Sequence, residues 1–404
     1  MSDSSDSGGG IVDSFTETTT KSWGSRIGES IKGVLFGLAF TIGACVLLFW
    51  NEGRAVQTEQ SLAEGRGLVV SADAARVDPA NEGKLVHLSG EVKAVAALRD
   101  ADFNITANAL RLVRTVEMYQ WKEESKSETR KTLGGGEETV TTYSYNLVWE
   151  DHRIDSSQFK RRDGHNNPQM RYQRSASAAR DATLGAYRPG ERVLALLPAT
   201  QELRVDPAIA ASLRGKVEGP IQVSDGKLYL GANPNEPKPG DLRVTFRIVP
   251  NGASSFIGQQ TGSDLSEYQT KAGDRLLMAR SGAMSAPDMF KAAEDENRIL
   301  TWIVRLVGVI VMFIGLTLIL RPLVVVADVV PFIGNILGAG AALVAGVVTA
   351  VVAPLVIAIA WLWYRPLVSI VAIAIGLAAA FGLRMLAARK SAARVVQSAG
   401  TVTR

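Results

Sequence analysis

One polar run carries the residue types best suited to chemistry. His165 stands in the sequence Asp-Gly-His-Asn-Asn-Pro at positions 163–168, among turn formers and hydrogen-bonding groups. Its imidazole could act as a general base, and such loops often bind ligands. An Asx-type turn with a solvated imidazole explains the same residues and is favoured, because Asp, Asn, Gly and Pro build turns. The candidate functional loop comprises Asp163, His165, Asn166, Asn167 and Pro168.

Other catalytic or metal-binding patterns are not indicated. His87 and His152 have no second His or Cys at ligand spacing, and Cys45 is the only cysteine. A multi-thiolate zinc site and an intramolecular disulfide are therefore excluded. The triple glycine at 134–136 lacks the Lys-Ser/Thr of a phosphate-binding loop. We predict no catalytic residues, no cofactor and no metal site.

The segment that holds this loop has mostly period-two patterning. Segments 110–122 and 139–149 alternate around the glycine-rich break and predict a long hairpin. Cross-strand pairing explains the aromatic residues of this hairpin better than a ligand box does: Tyr119, Trp121, Tyr143, Tyr145 and Trp149. Further strands are predicted at 84–92, 193–197, 227–230, 242–249 and 276–278. Weaker helical patterns lie at 62–69, 207–213 and 287–300, and Asn-Glu-Gly runs predict turns at 51–54 and 81–84.

Apolar runs flank this segment and predict a membrane protein. Residues 33–50 and most of 303–383 are apolar, and a helical span needs about 20 such residues. The predicted fold is an α+β membrane protein with four transmembrane helices, one N-terminal and three C-terminal, that enclose a large β-rich extracytoplasmic domain. The predicted division is a disordered cytosolic tail at 1–32, helices at 33–50, 299–320, 336–363 and 367–386, the domain at 51–298, and a basic cytosolic tail at 387–404.

Charge distribution sets the predicted orientation. The chain has a net charge of +4, but residues 51–300 carry 33 basic and 34 acidic side chains. This balance argues against nucleic-acid binding, which needs a basic domain face. Basic residues cluster before the first span and around the end of the fourth, so the positive-inside rule places both termini in the cytosol.

Several residues near the predicted membrane boundaries are candidate functional residues: Glu52, Arg54, Arg305 and Arg365. Arg305 lies about two turns from a polar stretch, which favours snorkelling to the interface over a functional intramembrane charge. The spans otherwise hold few titratable groups, which argues against a proton-coupled transporter. The spacing of Gly334 and Gly338 favours helix packing within the bundle, with homo-oligomer contact as the alternative.

Ordered short motifs resemble those of the LUMA (transmembrane protein 43) family. They run from about residue 35 to residue 370 in the family's order: Asn51-Glu-Gly-Arg-Ala55, Ser61-Leu-Ala-Glu-Gly65, Asn81-Glu-Gly-Lys-Leu-Val-His87, Val116-Glu-Met-Tyr-Gln-Trp121, Tyr143-Ser-Tyr-Asn146, Gly164-His165, Asn167-Pro168, Gly240-Asp-Leu-Arg-Val244 and Trp361 through Leu367. The one-plus-three arrangement of spans is also the family's. The Ala/Arg-rich composition suggests a bacterial member.

The resemblance implies a localisation and a class of function. Family members in eukaryotes are endoplasmic reticulum or inner nuclear membrane proteins with the large domain in the lumen; a bacterial member would lie in the inner membrane. They are thought to organise membrane protein complexes and to bind lamins and emerin, and no catalytic activity is established for them. Only the architecture and a scaffolding role carry over to a bacterial chain, because bacteria have no lamina.

Two hypotheses follow. The first is a non-enzymatic membrane scaffold whose extracytoplasmic domain binds other membrane proteins or lipid head groups. The second is an enzyme or lipid-binding protein that acts on a membrane-associated substrate through the 163–168 loop. An enzyme should place His165 in a cleft beside a carboxylate or a nucleophile, whereas a scaffold should leave it on a turn.

Overall fold

The computed structural model describes residues 13–366 and 370–371, which divide into two compact units. The first unit contains residues 13–22 and Gln60–Glu294, and the second contains Trp23–Glu59 and the chain from Asp295 onward. The described residues form helices α1 Trp23–Leu68, α2 Glu191–Leu194, α3 Pro207–Leu213, α4 Ala286–Ala327 and α5 Pro331–Tyr364, with short 3-10 turns at Pro79–Asn81 and Ser156–Gln158.

Three of these helices, α1, α4 and α5, are long and apolar enough to cross a membrane. The described part of the chain therefore has three candidate spans where the sequence predicts four. The predicted fourth span, 367–386, lies outside the described residues apart from positions 370 and 371.

The candidate spans are longer than the sequence predicts. Helix α1 begins ten residues before position 33 and continues without a break through 51–54, so the predicted turn there is wrong. Asn51 is buried in the bundle, and Gly53 leaves space that the Tyr364 ring fills, since an added Cβ would lie 2.6 Å from that ring. These residues serve helix packing, which outweighs their turn preference. Helix α4 likewise passes through Pro322 to Ala327. Prolines are tolerated in membrane helices because neighbouring helices and local backbone adjustments satisfy the freed backbone group.

The first unit is built from mainly antiparallel sheets. The described strands are β1 Asp13–Lys21, β2 Val70–Ser71, β3 Leu85–Ala94, β4 Leu98–Asp100, β5 Ile105–Ala107, β6 Ala109–Lys131, β7 Glu137–Glu150, β8 Ser175–Ala178, β9 Ala182–Leu184, β10 Gln201–Leu203, β11 Ile221–Ser224, β12 Lys227–Leu230, β13 Leu242–Pro250, β14 Gly252–Thr261, β15 Asp264–Ser266, β16 Tyr268–Gln269, β17 Arg275–Leu276 and β18 Met278–Ser281.

Two larger sheets organise these strands. An eight-stranded sheet has the order β1-β7-β6-β13-β12-β11, with β10 beside β13 and β8 beside β6. A six-stranded sheet has the order β15-β14-β3-β2, with β18 beside β14 and β9 beside β3. The β2–β3 pair is parallel. Strands β4 and β5 pair with each other, as do β16 and β17. The β-rich domain is therefore confirmed.

The predicted hairpin is the longest ladder of the first unit. Strands β6 and β7 pair from Met118↔Glu150 to Lys131↔Glu137, and the glycines at 134–136 form its turn. Gly134 and Gly135 have φ values of 85° and 80°, which a residue with a Cβ seldom adopts. The period-two pattern and the glycine run together specify this element.

Other local predictions have mixed outcomes. Segment 193–197 was expected to be a strand, but its first residues complete the helix α2, so that prediction is wrong. Helix α3 has the predicted bounds, with Pro207 in its first turn and the Asp206 carboxylate accepting a hydrogen bond from the Ala208 amide at 2.8 Å. In the predicted disordered tail, Asp13–Lys21 forms β1. Four β-branched threonines give this segment its strand propensity.

Apolar packing holds each unit together. One core cluster of the first unit joins the β6 and β13 side chains to α3, and a second joins β3 and β14 to α2. A third packs Leu62, near the C-terminal end of α1, against Met289 and Phe290. In the second unit, Leu48 and Met312 lie in a smaller cluster between helices.

Candidate functional site

The second unit has a buried carboxylate at the end of its apolar helices. Glu52 of α1 is 2% exposed and accepts two hydrogen bonds from Arg305 of α4, at 2.6 Å from Nε and 2.7 Å from Nη2. The Trp361 indole of α5 donates a third, at 2.8 Å. The Arg305 guanidinium also lies over the Trp302 ring, 4.8 Å from its centroid. Three helices thus meet at one carboxylate through the two-pronged geometry that makes an arginine–carboxylate pair strong.

A second polar group lies beside this pair. Arg54 donates to the Asn297 side-chain oxygen at 2.9 Å and to the Thr301 hydroxyl at 3.0 Å. The Asn51 amide donates to the Thr301 carbonyl oxygen at 3.1 Å. These bonds join α1 to α4 and bring together three of the four membrane-proximal candidates: Glu52, Arg54 and Arg305.

Arg365, the fourth candidate, pairs elsewhere. Its guanidinium forms an ion pair with Glu59, and both side chains are substantially exposed, at 31% and 54%. Exposed pairs of this kind contribute little to stability. Arg365 therefore offers a charged surface beside the end of α5, whereas Arg305 is committed to Glu52.

The opposite end of the bundle holds a second buried ion pair that the sequence does not predict. Arg26 of α1 contacts Asp328, just after α4, at 2.6 Å, with side-chain exposures of 7% and 1%. The Trp23 indole donates to the Val325 carbonyl oxygen at 2.9 Å. A Cβ on Gly334 would overlap the Asp328 carboxylate, so this glycine permits the pair to form. Asp328 is the lone acid of residues 301–404, and that isolation is the only sequence signal for its role.

Glycines bring the helices together between these pairs. A Cβ added to Gly37 would lie 2.6 Å from the Gly315 carbonyl oxygen, and one added to Gly315 would lie 2.8 Å from the Gly37 carbonyl oxygen. Small residues that let helix backbones touch are typical of membrane helix pairs. Gly338, predicted to pack within the bundle, places its Cβ position 3.5 Å from Val324 of α4.

The candidate loop of the first unit folds against the hairpin. His165 is 2% exposed and stacks on Tyr145, with ring centroids 4.0 Å apart, while the Trp121 ring meets its edge at 4.7 Å. Its Nδ1 lies 3.2 Å from the Arg161 carbonyl oxygen, and its Nε2 lies 3.4 Å from an Asp13 carboxylate oxygen. The imidazole is thus buried beside a carboxylate, which matches neither a solvated turn nor an open cleft.

Asn167 anchors the same loop because its side-chain amide pairs with the backbone of Trp121 as a neighbouring strand would. Its side-chain oxygen accepts from the Trp121 amide at 2.8 Å, and its amide group donates to the Trp121 carbonyl oxygen at 2.9 Å. Asp163, Asn166 and Pro168 are exposed at the surface. Of the predicted loop residues, His165 and Asn167 therefore lie together on the hairpin, and the other three do not join them.

Tyr145 links the loop to the hairpin through a hydroxyl that stays protonated. Burial and a hydrogen bond to Glu123, at 2.7 Å, raise the pKa of Tyr145 to about 12. The same hydroxyl accepts from the Arg161 amide at 2.9 Å. Burial and the Asp241 carboxylate also raise the pKa of Tyr229 well above its usual range. Both phenols act as hydrogen-bond donors to carboxylates, which is a structural role.

One group of potential metal ligands lies on the surface of the first unit. Ligand atoms of Glu150, Asp151 and His152 lie within 4.8 Å of one another, and the side chains of Asp151 and His152 are exposed. Neighbouring acidic side chains commonly adopt this arrangement without an ion, so we assign no site to them.

A known protein family matches more than half of this chain. The sequence profile of a family described as "Transmembrane protein 43" matches residues 118–366 of this chain. The chain belongs to the transmembrane protein 43 family. The resemblance in the ordered motifs is therefore confirmed, and the family match includes the 163–168 loop, Arg305 and Trp361.

Relatives in this family match along most of their length. Transmembrane protein 43 of Mus musculus is 35% identical over 358 residues, which cover 85% of this chain and 87% of that protein. The Homo sapiens protein has the same identity and coverage. The Drosophila melanogaster homolog is 30% identical over 352 residues, covering 83% of this chain and 89% of that protein. No solved structure matches the chain.

Family membership and the three apolar helices make this a transmembrane protein. The relatives named above are animal proteins, and a bacterial source for this chain stays a prediction.

Proposed function

We propose that this protein is a multi-pass membrane scaffold that organises membrane protein complexes through its β-rich domain and has no catalytic activity. One observation carries the proposal: the residues best suited to chemistry are used to hold the structure together. Glu52 and Arg305 neutralise each other between helices, and His165 and Asn167 fasten a loop to the hairpin. Groups committed in this way support a fixed framework.

The proposed arrangement keeps four spans, with the fourth at 367–386, and a domain at 51–298 on the extracytoplasmic side. Both termini lie in the cytosol, at the bacterial inner membrane or, in a eukaryote, the endoplasmic reticulum or inner nuclear membrane. Support comes from the basic residues at both ends of the chain and from the apolar character of α1, α4 and α5. The proposed partners are other membrane proteins, with lipids as a second class and a second copy of the chain through the bundle as a third.

Cross-linking in native membranes tests this proposal. The tagged full-length protein would be treated with a lysine-reactive cross-linker, and partner peptides would be mapped by mass spectrometry. A scaffold should give a reproducible set of membrane proteins linked to lysines within residues 60–294. Partners linked only elsewhere, or none above an untreated control, would contradict it.

A second function is favoured by one contact of the candidate loop. The His165 imidazole lies 3.4 Å from the Asp13 carboxylate, a pairing found in general-base catalysis. An enzyme or lipid-binding protein could use this loop on a membrane-associated substrate. A His165→Ala protein that folds and retains every cellular phenotype would exclude the enzymatic role of the loop.

A further inference from the structure

An apolar groove of about 430 Å³ lies between α1 and α5 of the second unit. Val46, Phe49 and Trp50 of α1 form one wall, and Ile359 and Tyr364 of α5 form the other. Val46 and Ile359 are exposed, so the groove opens at the surface of the bundle. A groove between two helices is a surface into which the side-chain ridges of another helix can pack.

The chain leaves α5 beside this groove. Tyr364 is the last residue of α5, and the backbone of Arg365, with φ −135° and ψ 59°, departs from the helical conformation. Helix α5 has 34 residues and is about 51 Å long, which already exceeds a hydrocarbon core of about 30 Å. An apolar segment that follows it directly can therefore enter the lipid only by turning back along α5.

The next residues have the composition of such a returning span. Positions 367–386 contain 20 residues with a single charged side chain, Arg384. Pro366, which suits the first turn of a helix, is helical, as are Ile370 and Val371. The sequence and these positions together favour a helix that begins at the level of Tyr364.

Two described side chains define the outer face of this helix. Ile370 is 61% exposed and Val371 is 57% exposed. At 3.6 residues per turn, the opposite face would hold mainly small residues: Ser369, Ala372, Gly376, Ala379 and Leu383. Small side chains at this spacing let a membrane helix approach its neighbours closely.

We propose that residues 367–386 pack as a helix into the groove between α1 and α5, antiparallel to both, with the small-residue face inward and Ile370 toward lipid. This inference rests on the proposed four-span arrangement and names the surface that receives the fourth span. The occupant is the chain's own segment, because the groove lies where the chain leaves α5 and both carry apolar side chains.

The contact between α1 and α5 sets the register of this packing. The two helices run in the same direction, since Gly53 packs against Tyr364 and the earlier residues Ala44 and Ala353 share a cluster. Cys45 also lines the groove and precedes Gly53 by eight residues, or about 12 Å along the helix. A helix that returns from residue 367 covers the same distance at about residue 375. Ala372 and Gly376 on its inner face should therefore pass close to Cys45.

Disulfide formation to the native cysteine tests the inference. Cys45 is the only cysteine of the chain, so Ala372→Cys and Gly376→Cys each provide one defined pair in the full-length protein. Native membranes would be oxidised with iodine and denatured, and free thiols would be counted by their gel shift with maleimide-polyethylene glycol. At least one of these variants should lose most of its free thiols within single chains, and a reductant should restore them.

Ile370→Cys and Val371→Cys are the matched controls on the opposite face. They should be oxidised at least about fivefold less, because thiols on opposite helix faces lie beyond disulfide reach. Ala372→Cys exchanges two small side chains and guards against a packing failure of Gly376→Cys. Efficient oxidation of the controls would overturn the proposed face, and disulfides only between two chains would assign the groove to a second copy.

Loss of both intrachain disulfides would overturn the inference, with lipid as the occupant that replaces the helix. Gly376→Cys in a Cys45→Ala background then separates the two levels of the proposal through its reaction with a water-soluble maleimide in intact membranes. Protection of this thiol would leave the four-span arrangement standing with the fourth helix elsewhere. Rapid reaction would refute the fourth span as well.

Discussion

Replacing Glu52 by Gln should destabilise the helix bundle much more than removing an exposed charge near the membrane boundary. The change keeps the side-chain shape but removes the charge that neutralises Arg305, which is only 16% exposed. Removing one partner of a buried ion pair costs about 3–5 kcal/mol, because the other charge stays desolvated. We expect about 3 kcal/mol, the lower end of that range, since Arg305 keeps its contact with the Trp302 ring.

The single cysteine provides the assay. Cys45 packs against the interhelical cluster of the bundle, so its reaction with a fluorogenic maleimide during heating reports helix separation. A loss of about 3 kcal/mol should lower the Tm in detergent by about 6–12 °C. Glu59→Gln is the matched control on the same helix, because it breaks the exposed pair with Arg365 and should cost less than about 1 kcal/mol.

A double variant completes the test. Glu52→Leu with Arg305→Met replaces the ion pair by apolar side chains of similar volume and should recover most of the lost stability, as such replacements often do. Equal Tm shifts for Glu52→Gln and Glu59→Gln would refute the assignment of a buried, coupled pair. A double variant as unstable as Glu52→Gln alone would show that the loss comes from packing and not from an uncompensated charge.

Three further predictions concern packing, hydrogen bonding and pH. Gly37→Ala should lower the Tm in the cysteine assay, because its Cβ would lie 2.6 Å from a carbonyl oxygen of α4, whereas Gly43→Ala, with no atom within 4 Å, should be neutral or slightly stabilising. Asn167→Ala should lower the free energy of unfolding of the domain in urea by about 2 kcal/mol, because it leaves two backbone groups of β6 unpaired. The control Asn166→Ala changes an exposed residue and should alter this free energy by less than about 0.5 kcal/mol. The pKa of Tyr145 is raised from 10.0 to about 12, so its contribution is fully present below pH 10, falls as the pH rises, and is lost, by about 3 kcal/mol, only above pH 12. Tyr145→Phe should flatten this alkaline loss of stability in unfolding measured by circular dichroism.

Long periodic patterns predicted the coarse architecture. The apolar runs predicted α1, α4 and α5, and period-two alternation around the triple glycine predicted the hairpin, because burial in lipid or in a sheet imposes these patterns directly. Short signals were less reliable. The Asn-Glu-Gly run at 51–54 has turn composition, yet it lies within a helix where tertiary contacts outweigh local preference.

Pairings between distant residues left almost no trace in the sequence. Glu52 and Arg305 were each predicted as candidates, but nothing in either segment indicates that residues 253 positions apart meet. His165 was predicted as a candidate because of its polar neighbours in the sequence. Its partners Tyr145 and Asp13 lie on strands β7 and β1, which only the sheet brings together. Helix length and hydropathy are local properties, whereas these contacts depend on helix and strand register, which one sequence does not encode in a readable form.

The Arg26–Asp328 and Glu52–Arg305 ion pairs explain why charges persist in such apolar helices. Arg26 and Glu52 lie 26 positions apart on α1, which corresponds to about 39 Å along a continuous helix. A bilayer is about 30 Å thick in its hydrocarbon core and about 40–45 Å with its head groups. The separation of the two pairs matches the distance between the two head-group layers, where a charge costs much less than at the bilayer centre. Each pair joins α1 to α4 or to the turn that follows it, so the helices are tied at both ends with close glycine contacts between. A bundle held in this way suits a fixed anchor better than a moving transport pathway. The proposed scaffold function requires such a fixed anchor.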